Sequence, residues 1–111
     1  MLNNESCVAC KGGIEPMTAA EAKAALADVP GWALGPGGTS IVREFKFKNF
    51  KQALAFVNEV GGVAEQQGHH PDFSFGWGYV KLLLTTHSIL GLHRNDFIMA
   101  SKINALVDAV K

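Results

Sequence analysis

Four histidines carry the strongest chemical signal in the chain. His69 and His70 stand together between a helical pattern and Pro71, His87 closes an apolar run, and His93 opens the last helical segment. Histidine both gives and takes a proton near neutrality, and loops and strand ends are where a rigid scaffold aims such groups. Adjacent histidines point apart in most backbone conformations. The pair is therefore poorly suited to one metal ion, and it is suited to flank a flat ligand, one ring at an edge and one at a face. The competing reading is an exposed polar turn whose rings only pack or cap. His87 taken alone also reads as a strand-end side chain satisfied by the backbone. Asp96, in the first turn of the last helix, has a plain role at the positive helix end, worth roughly 0.3–1 kcal/mol. Glu65 is either a solvated helix-face residue or the partner that orients a histidine.

Other chemistries find less support. Cys7-Val-Ala-Cys10 is a single CxxC, and a structural zinc site needs four ligands, usually two such pairs. The chain has two cysteines, so a metal would need His93, another histidine or another chain. A redox role lacks the strand-to-helix turn that lowers a thiol pKa. The remaining reading of the motif is a flexible, reduced arm. GxGxxG, P-loop and GxSxG signatures are absent. Ten Lys and Arg balance ten Asp and Glu, giving a formal net charge of zero. That leaves no cation surplus for nucleic acid or an anionic membrane. No stretch approaches the roughly 18 apolar residues of a membrane helix, and the start lacks the regions of a signal peptide. Two cysteines make no disulfide scaffold, which fits a reducing compartment. A cytoplasmic protein is expected. With 111 residues, 48% hydrophobic and 18% charged, the chain has the length and composition of one globular domain.

The elements that must position these groups follow from the pattern. Residues 1–17 read as an irregular arm and 18–111 as a single domain. Thr18 and Glu21 form a capping box ahead of an alanine-rich helix reaching Val29, with Pro30 and Gly31 as the stop. Residues 32–34 are a short strand, residues 35–38 a turn, and residues 41–48 a half-buried strand with Phe45 and Phe47 on one face. Asn49 caps the next helix, with Gln52 in the box position. Its expected apolar stripe is Phe50, Leu54, Val57, Val60/Gly61 and Ala64, with Gly61 and Gly62 permitting close packing. Gly68 ends it. Residues 72–77 and 79–86 read as two strands, with Gly76 and Gly78 bracketing Trp77 in a hairpin or a bulge. Residues 95–110 are helical, with Met99, Ile103, Leu106 and Val110 on one stripe. The order α-β-β-α-β-β-α points to an α+β fold with an antiparallel sheet.

The run Glu65-Gln-Gln-Gly-His69-His70-Pro71-Asp72, then Thr85-Thr86-His87, then Gly91-Leu92-His93-Arg94-Asn95-Asp96, resembles the pterin-4a-carbinolamine dehydratase family. Gly31-Trp32 and the run from Phe45 to Phe50 extend the likeness over nearly the whole chain, and the Cys7-x-x-Cys10 arm looks like that of bacterial members. The resemblance implies a four-stranded antiparallel sheet with three helices packed on one face. It implies dehydration of a 4a-hydroxytetrahydropterin to the quinonoid dihydropterin, the recycling step after an aromatic amino acid hydroxylase. By the family's pattern His69, His70 and His87 are the active-site histidines, and Glu65, Gly68, Pro71, Thr86, Ser88 and Asp96 line or support the substrate site. No metal or organic cofactor is expected. The implied partners are the pterin and further copies of the chain, as a homodimer or homotetramer, with neither nucleic acid nor membrane.

Two positions depart from the pattern. Ile89 stands at the site rim where animal members carry Cys. His93 stands where the family usually has Ser or Thr, which removes a normal helix cap. Animal members also partner a homeodomain transcription factor, and some relatives that lack the histidines act only as assembly factors. The intact histidine set favours the enzyme.

Overall fold

A computed structural model describes residues 2–7 and 14–110 of the protein. Helix α1, Ala19–Leu26, starts at the expected capping box: Thr18 Oγ1 accepts the Glu21 amide at 3.2 Å, and Glu21 Oε1 accepts the Thr18 amide at 2.9 Å. It stops short of Val29. The amides of Ala27, Asp28 and Val29 each bond three residues back, tightening the chain ahead of Pro30, which disfavours helical backbone before it.

The strands are β1 (Ala33–Leu34), β2 (Ile41–Lys46), β3 (Asp72–Gly76) and β4 (Tyr79–Leu84), in the sheet order β1-β2-β4-β3, all antiparallel. The register puts Phe45, Val80 and Phe75 in one row, and Ile41 opposite Leu84. These side chains share one face, and Ile41, Phe45, Val80, Leu82 and Leu84 are buried there. The other face carries Glu44 opposite Lys81, with Ser74 beyond. β2 ends two residues earlier than expected. The Phe47 amide still donates to Gly78 O at 2.7 Å, but the chain then turns into the extended Asn49 cap.

Helices α2 (Phe50–Gln67) and α3 (Arg94–Val110) supply the rest of the core. Asn49 Oδ1 accepts the Gln52 amide as expected, whereas Gln52 Oε1 turns to the Lys48 amide, one residue before the cap. The expected α2 stripe holds at Val60 and Ala64 and is corrected over its first turns. The buried residues are Ala53, Phe56, Val60 and Ala64, while Phe50 and Leu54 are 45% and 38% exposed. Both stripes have helical spacing. Phe56 wins because it meets Phe45 and Phe47 at centroid distances of 4.9 and 5.0 Å, and a fully buried ring contributes about 1.5–3 kcal/mol. Phe50 stacks at the sheet margin on Phe75. The packing role expected of Gly61 and Gly62 is also absent: a Cβ at either meets nothing within 4 Å. In α3 the burial exceeds one stripe. Asn95 to Ala100 are all buried, and the segment Leu2–Asn4 packs against this helix. No helix is long and apolar enough to cross a membrane among the described residues.

Candidate active site

Two chain segments meet at one end of the sheet. β3 enters at Asp72, paired with Leu83, so residues 69–71 lie just outside that pair. β4 leaves at Leu84, so residues 86–88 lie outside the same end. Gly68 ends α2 in the left-handed conformation, with φ 66°, which glycine adopts without the usual side-chain cost. The His69 amide returns to Ala64 O at 3.3 Å, so the backbone of the histidine pair is anchored to the helix end.

His69 and Asp96 form the centre. His69 Nε2 lies 2.6 Å from Asp96 Oδ1, and the side chains are 12% and 0% exposed. Asp96 Oδ2 accepts the Thr86 hydroxyl at 2.8 Å and the His93 amide at 3.0 Å. One carboxyl thus collects three donors from three segments. With the Asp96 carboxylate as acceptor, neutral His69 carries its ring proton on Nε2. Asp96 has the helix-start role expected of it and a second one besides. It satisfies the start of α3 and it orients a histidine.

His70 points to a different partner. Its Nε2 is 2.5 Å from Glu65 Oε2 on the last turn of α2, and the side chains are 58% and 80% exposed. His87 and Ser88 are exposed on a 3-10 turn, His87–Ile89, directly after Thr86. His87 directly follows Thr86, whose hydroxyl bonds Asp96. Thr86 pairs with Gly91 as an isolated bridge, which folds the turn back on itself. Gly91 is required there, since a Cβ would come within 2.5 Å of Pro16. Pro71 is buried behind the pair. Ile89, on the same turn, is buried too.

Two features were not foreseen. The expected loss of a cap at His93 is corrected: its ring Nδ1 accepts the Asn95 amide at 3.0 Å, so an imidazole does the work of a hydroxyl. The arm is also docked at its start and not free. Cys7 is half-buried, its amide bonded to Gln67 Oε1 at 2.8 Å, and desolvation pushes its thiol up to about 11. Neither the histidine at a cap nor the glutamine at a helix end has a local signature by which sequence reasoning finds it. Cys10 lies outside the described residues. Among the described residues no three His, Cys, Asp or Glu side chains group as metal ligands. A cleft of about 450 Å³ lined by Lys46, Phe47, Lys48, Gln52, Ala55, Phe56 and Glu59 sits at the opposite end of the sheet, and no predicted site residue lines it.

The fold and the buried histidine–aspartate pair define an α+β protein whose polar site lies at one end of a four-stranded sheet. The chain belongs to the pterin-4a-carbinolamine dehydratase family: the sequence model described as Pterin 4 alpha carbinolamine dehydratase matches residues 15–106. A protein of Cupriavidus pinatubonensis, provisionally named pterin-4-alpha-carbinolamine dehydratase 1, is 50% identical over 105 residues, 95% of this chain and 90% of that relative. A crystal structure described as transcriptional coactivator/pterin dehydratase from Brucella melitensis is 36% identical, with a TM-score of 0.78 over 83% of this chain and 98% of its own. A pterin dehydratase-like protein identified as a RuBisCO assembly factor in the alpha-carboxysome shares the fold, with a TM-score of 0.60 at 22% identity over 71% of this chain and 92% of its own.

Proposed function

We propose that this protein dehydrates 4a-hydroxytetrahydropterins to the quinonoid dihydropterin, with histidines as general acid and base. The observation that supports the reading is the buried Asp96 carboxyl, which takes hydrogen bonds from His69 and Thr86, the chain neighbours of the exposed His70 and His87. Loss of water needs a proton delivered to the C4a oxygen and a proton taken from ring N5. The C4a–O bond breaks, its electron pair leaves with water, and the N5 pair forms the new C=N bond. His69, fixed by Asp96, holds the edge of the pterin. His70 and His87, exposed on two segments at the same sheet end, share the acid and base roles, each worth about 10²–10⁴-fold. Glu65 orients His70, Thr86 acts through Asp96, and Gly68, Pro71 and Ser88 shape the walls. The chemistry asks for neither metal nor organic cofactor.

The proposal extends to the setting. The substrate is the hydroxylated pterin released by an aromatic amino acid hydroxylase, in the cytoplasm. The working form is a homodimer or homotetramer, a reading supported by the edge strand β3, where Phe73 is exposed, and checked by light scattering. The deciding experiment follows the ultraviolet absorbance of a freshly generated 4a-hydroxytetrahydropterin. Wild type is expected to accelerate water loss over the spontaneous rate, and His70→Ala and His87→Ala each to lose about 10²-fold or more. Absence of acceleration by folded wild type would sink the reading. Near-normal turnover in both variants would sink the assignment of acid and base.

A further inference from the structure

His69 and Asp96 are carried by separate elements, the segment after α2 and the first turn of α3, and a third piece of chain bridges the two. The Cys7 amide donates to Gln67 Oε1 at 2.8 Å, and the Cys7 thiol donates to the Asn95 carbonyl at 3.7 Å. Gln67 lies two residues before His69, and Asn95 immediately precedes Asp96. One residue of the arm therefore reaches the backbone neighbourhood of both partners. Glu5 adds a two-point contact to Arg94, with Arg94 Nε and Nη2 at 2.9 and 2.6 Å from its two carboxylate oxygens. Such a fork is the most directional ion pair available to a side chain. Leu2 and Cys7 also pack against the core. The bridge is built before the family's matched region begins at residue 15.

We propose that residues 2–7 are a positioning strap. By joining Gln67 to Asn95 they hold His69 and Asp96 in hydrogen-bonding register, and they do so without touching the ligand. Cys7 and Gln67 are its positioning residues. A further tie across two helix ends that are distant in the chain narrows their relative motion, and a shift of about 1 Å in a catalytic group costs about 10²-fold in rate. The raised thiol pKa fits the role, because at neutral pH Cys7 stays protonated and keeps its donor. A strap of this kind acts on the preorganisation of the site and leaves ligand contacts alone.

Only the rate readout rests on the dehydratase reading; the geometric readout stands apart from it. The test uses the full chain with Gln67→Met, which loses the acceptor, Gln67→Met/Glu5→Ala, which also breaks the ion pair, and Gln67→Glu, which keeps an acceptor. Alkylation of Cys7 in a Cys10→Ser background reports whether the arm has been released. Solvent exchange of the His69 Nε2 proton, followed by imidazole ¹⁵N spectra, reports the His69–Asp96 bond. For the double variant kcat is expected to fall about tenfold with KM within about twofold of wild type, and ring-proton exchange to quicken about tenfold, a fraction of the cost of a full ångström. Gln67→Met follows in the same direction, and Gln67→Glu returns both quantities toward wild type. A double variant with a released arm but wild-type exchange overturns the strap, whatever its rate. If wild type does not dehydrate the pterin, the functional reading falls, and exchange alone still decides the strap.

Discussion

The two histidine–carboxylate pairs are adjacent in sequence and nearly equal in length, 2.6 Å for His69–Asp96 and 2.5 Å for His70–Glu65. They differ in everything that sets their worth. Asp96 is fully buried and collects three donors; Glu65 is 80% exposed and has water to replace its partner. A buried acceptor cannot be removed cheaply, because each stranded donor costs about 1–3 kcal/mol. An exposed ion pair is worth about 0–1 kcal/mol. Neighbouring residues of one type thus have separate tasks. His69 is held by the fold, while His70 stays exposed, as its proposed acid–base role requires.

The largest effect is expected from Asp96→Ala. It strands the Thr86 hydroxyl, the His93 amide and the His69 ring together, and urea unfolding should show a loss of about 3–5 kcal/mol. A loss under about 1 kcal/mol would make the two pairs equivalent and remove the contrast. Thr86→Val comes next. It keeps the shape, deletes one charge-assisted donor, and should cost about 2 kcal/mol.

A smaller effect tests the arm beside the buried pair. Burial raises the Cys7 thiol from an ordinary 9.0 to about 11, so its contribution is complete below pH 9 and is lost as pH rises through about 11. The stability gap between wild type and Cys7→Ala should therefore narrow across that window. A gap unchanged from below pH 9 to above pH 11 would show that the thiol is not held in the neutral form. The smallest effect is Glu65→Ala, which should move unfolding stability by less than about 0.5 kcal/mol. Any drop in turnover it causes would then be a matter of His70 orientation and not of folding.

Much of the architecture was legible in the residues. The Thr18–Glu21 box, the Asn49 cap, the Gly68 stop and the hairpin at Gly76–Gly78 are local devices, each complete within a few residues, and each stands where expected. The element order and the α+β class follow from them. The face of α2 was not legible, because two stripes of equal spacing compete and only Phe45 and Phe47 across the gap choose Phe56 over Phe50. For the site, residue types and spacing marked the histidines and offered Glu65 as a partner, and the family resemblance added Thr86 and Asp96. Which histidine takes which carboxylate was not marked. Asp96 read equally well as a helix-end charge, and His93 read as a lost cap.

By itself, then, the sequence determined the kinds and order of the elements, their caps and turns, and the family pattern that points to the pterin site, since these depend on neighbours three or four residues away. Only the tertiary structure decided that the Asp96 carboxylate serves His69 and Thr86, and that Cys7 reaches both helix ends. Those contacts join residues 27, 10, 60 and 88 positions apart, and burial, which no local pattern encodes, sets what each is worth.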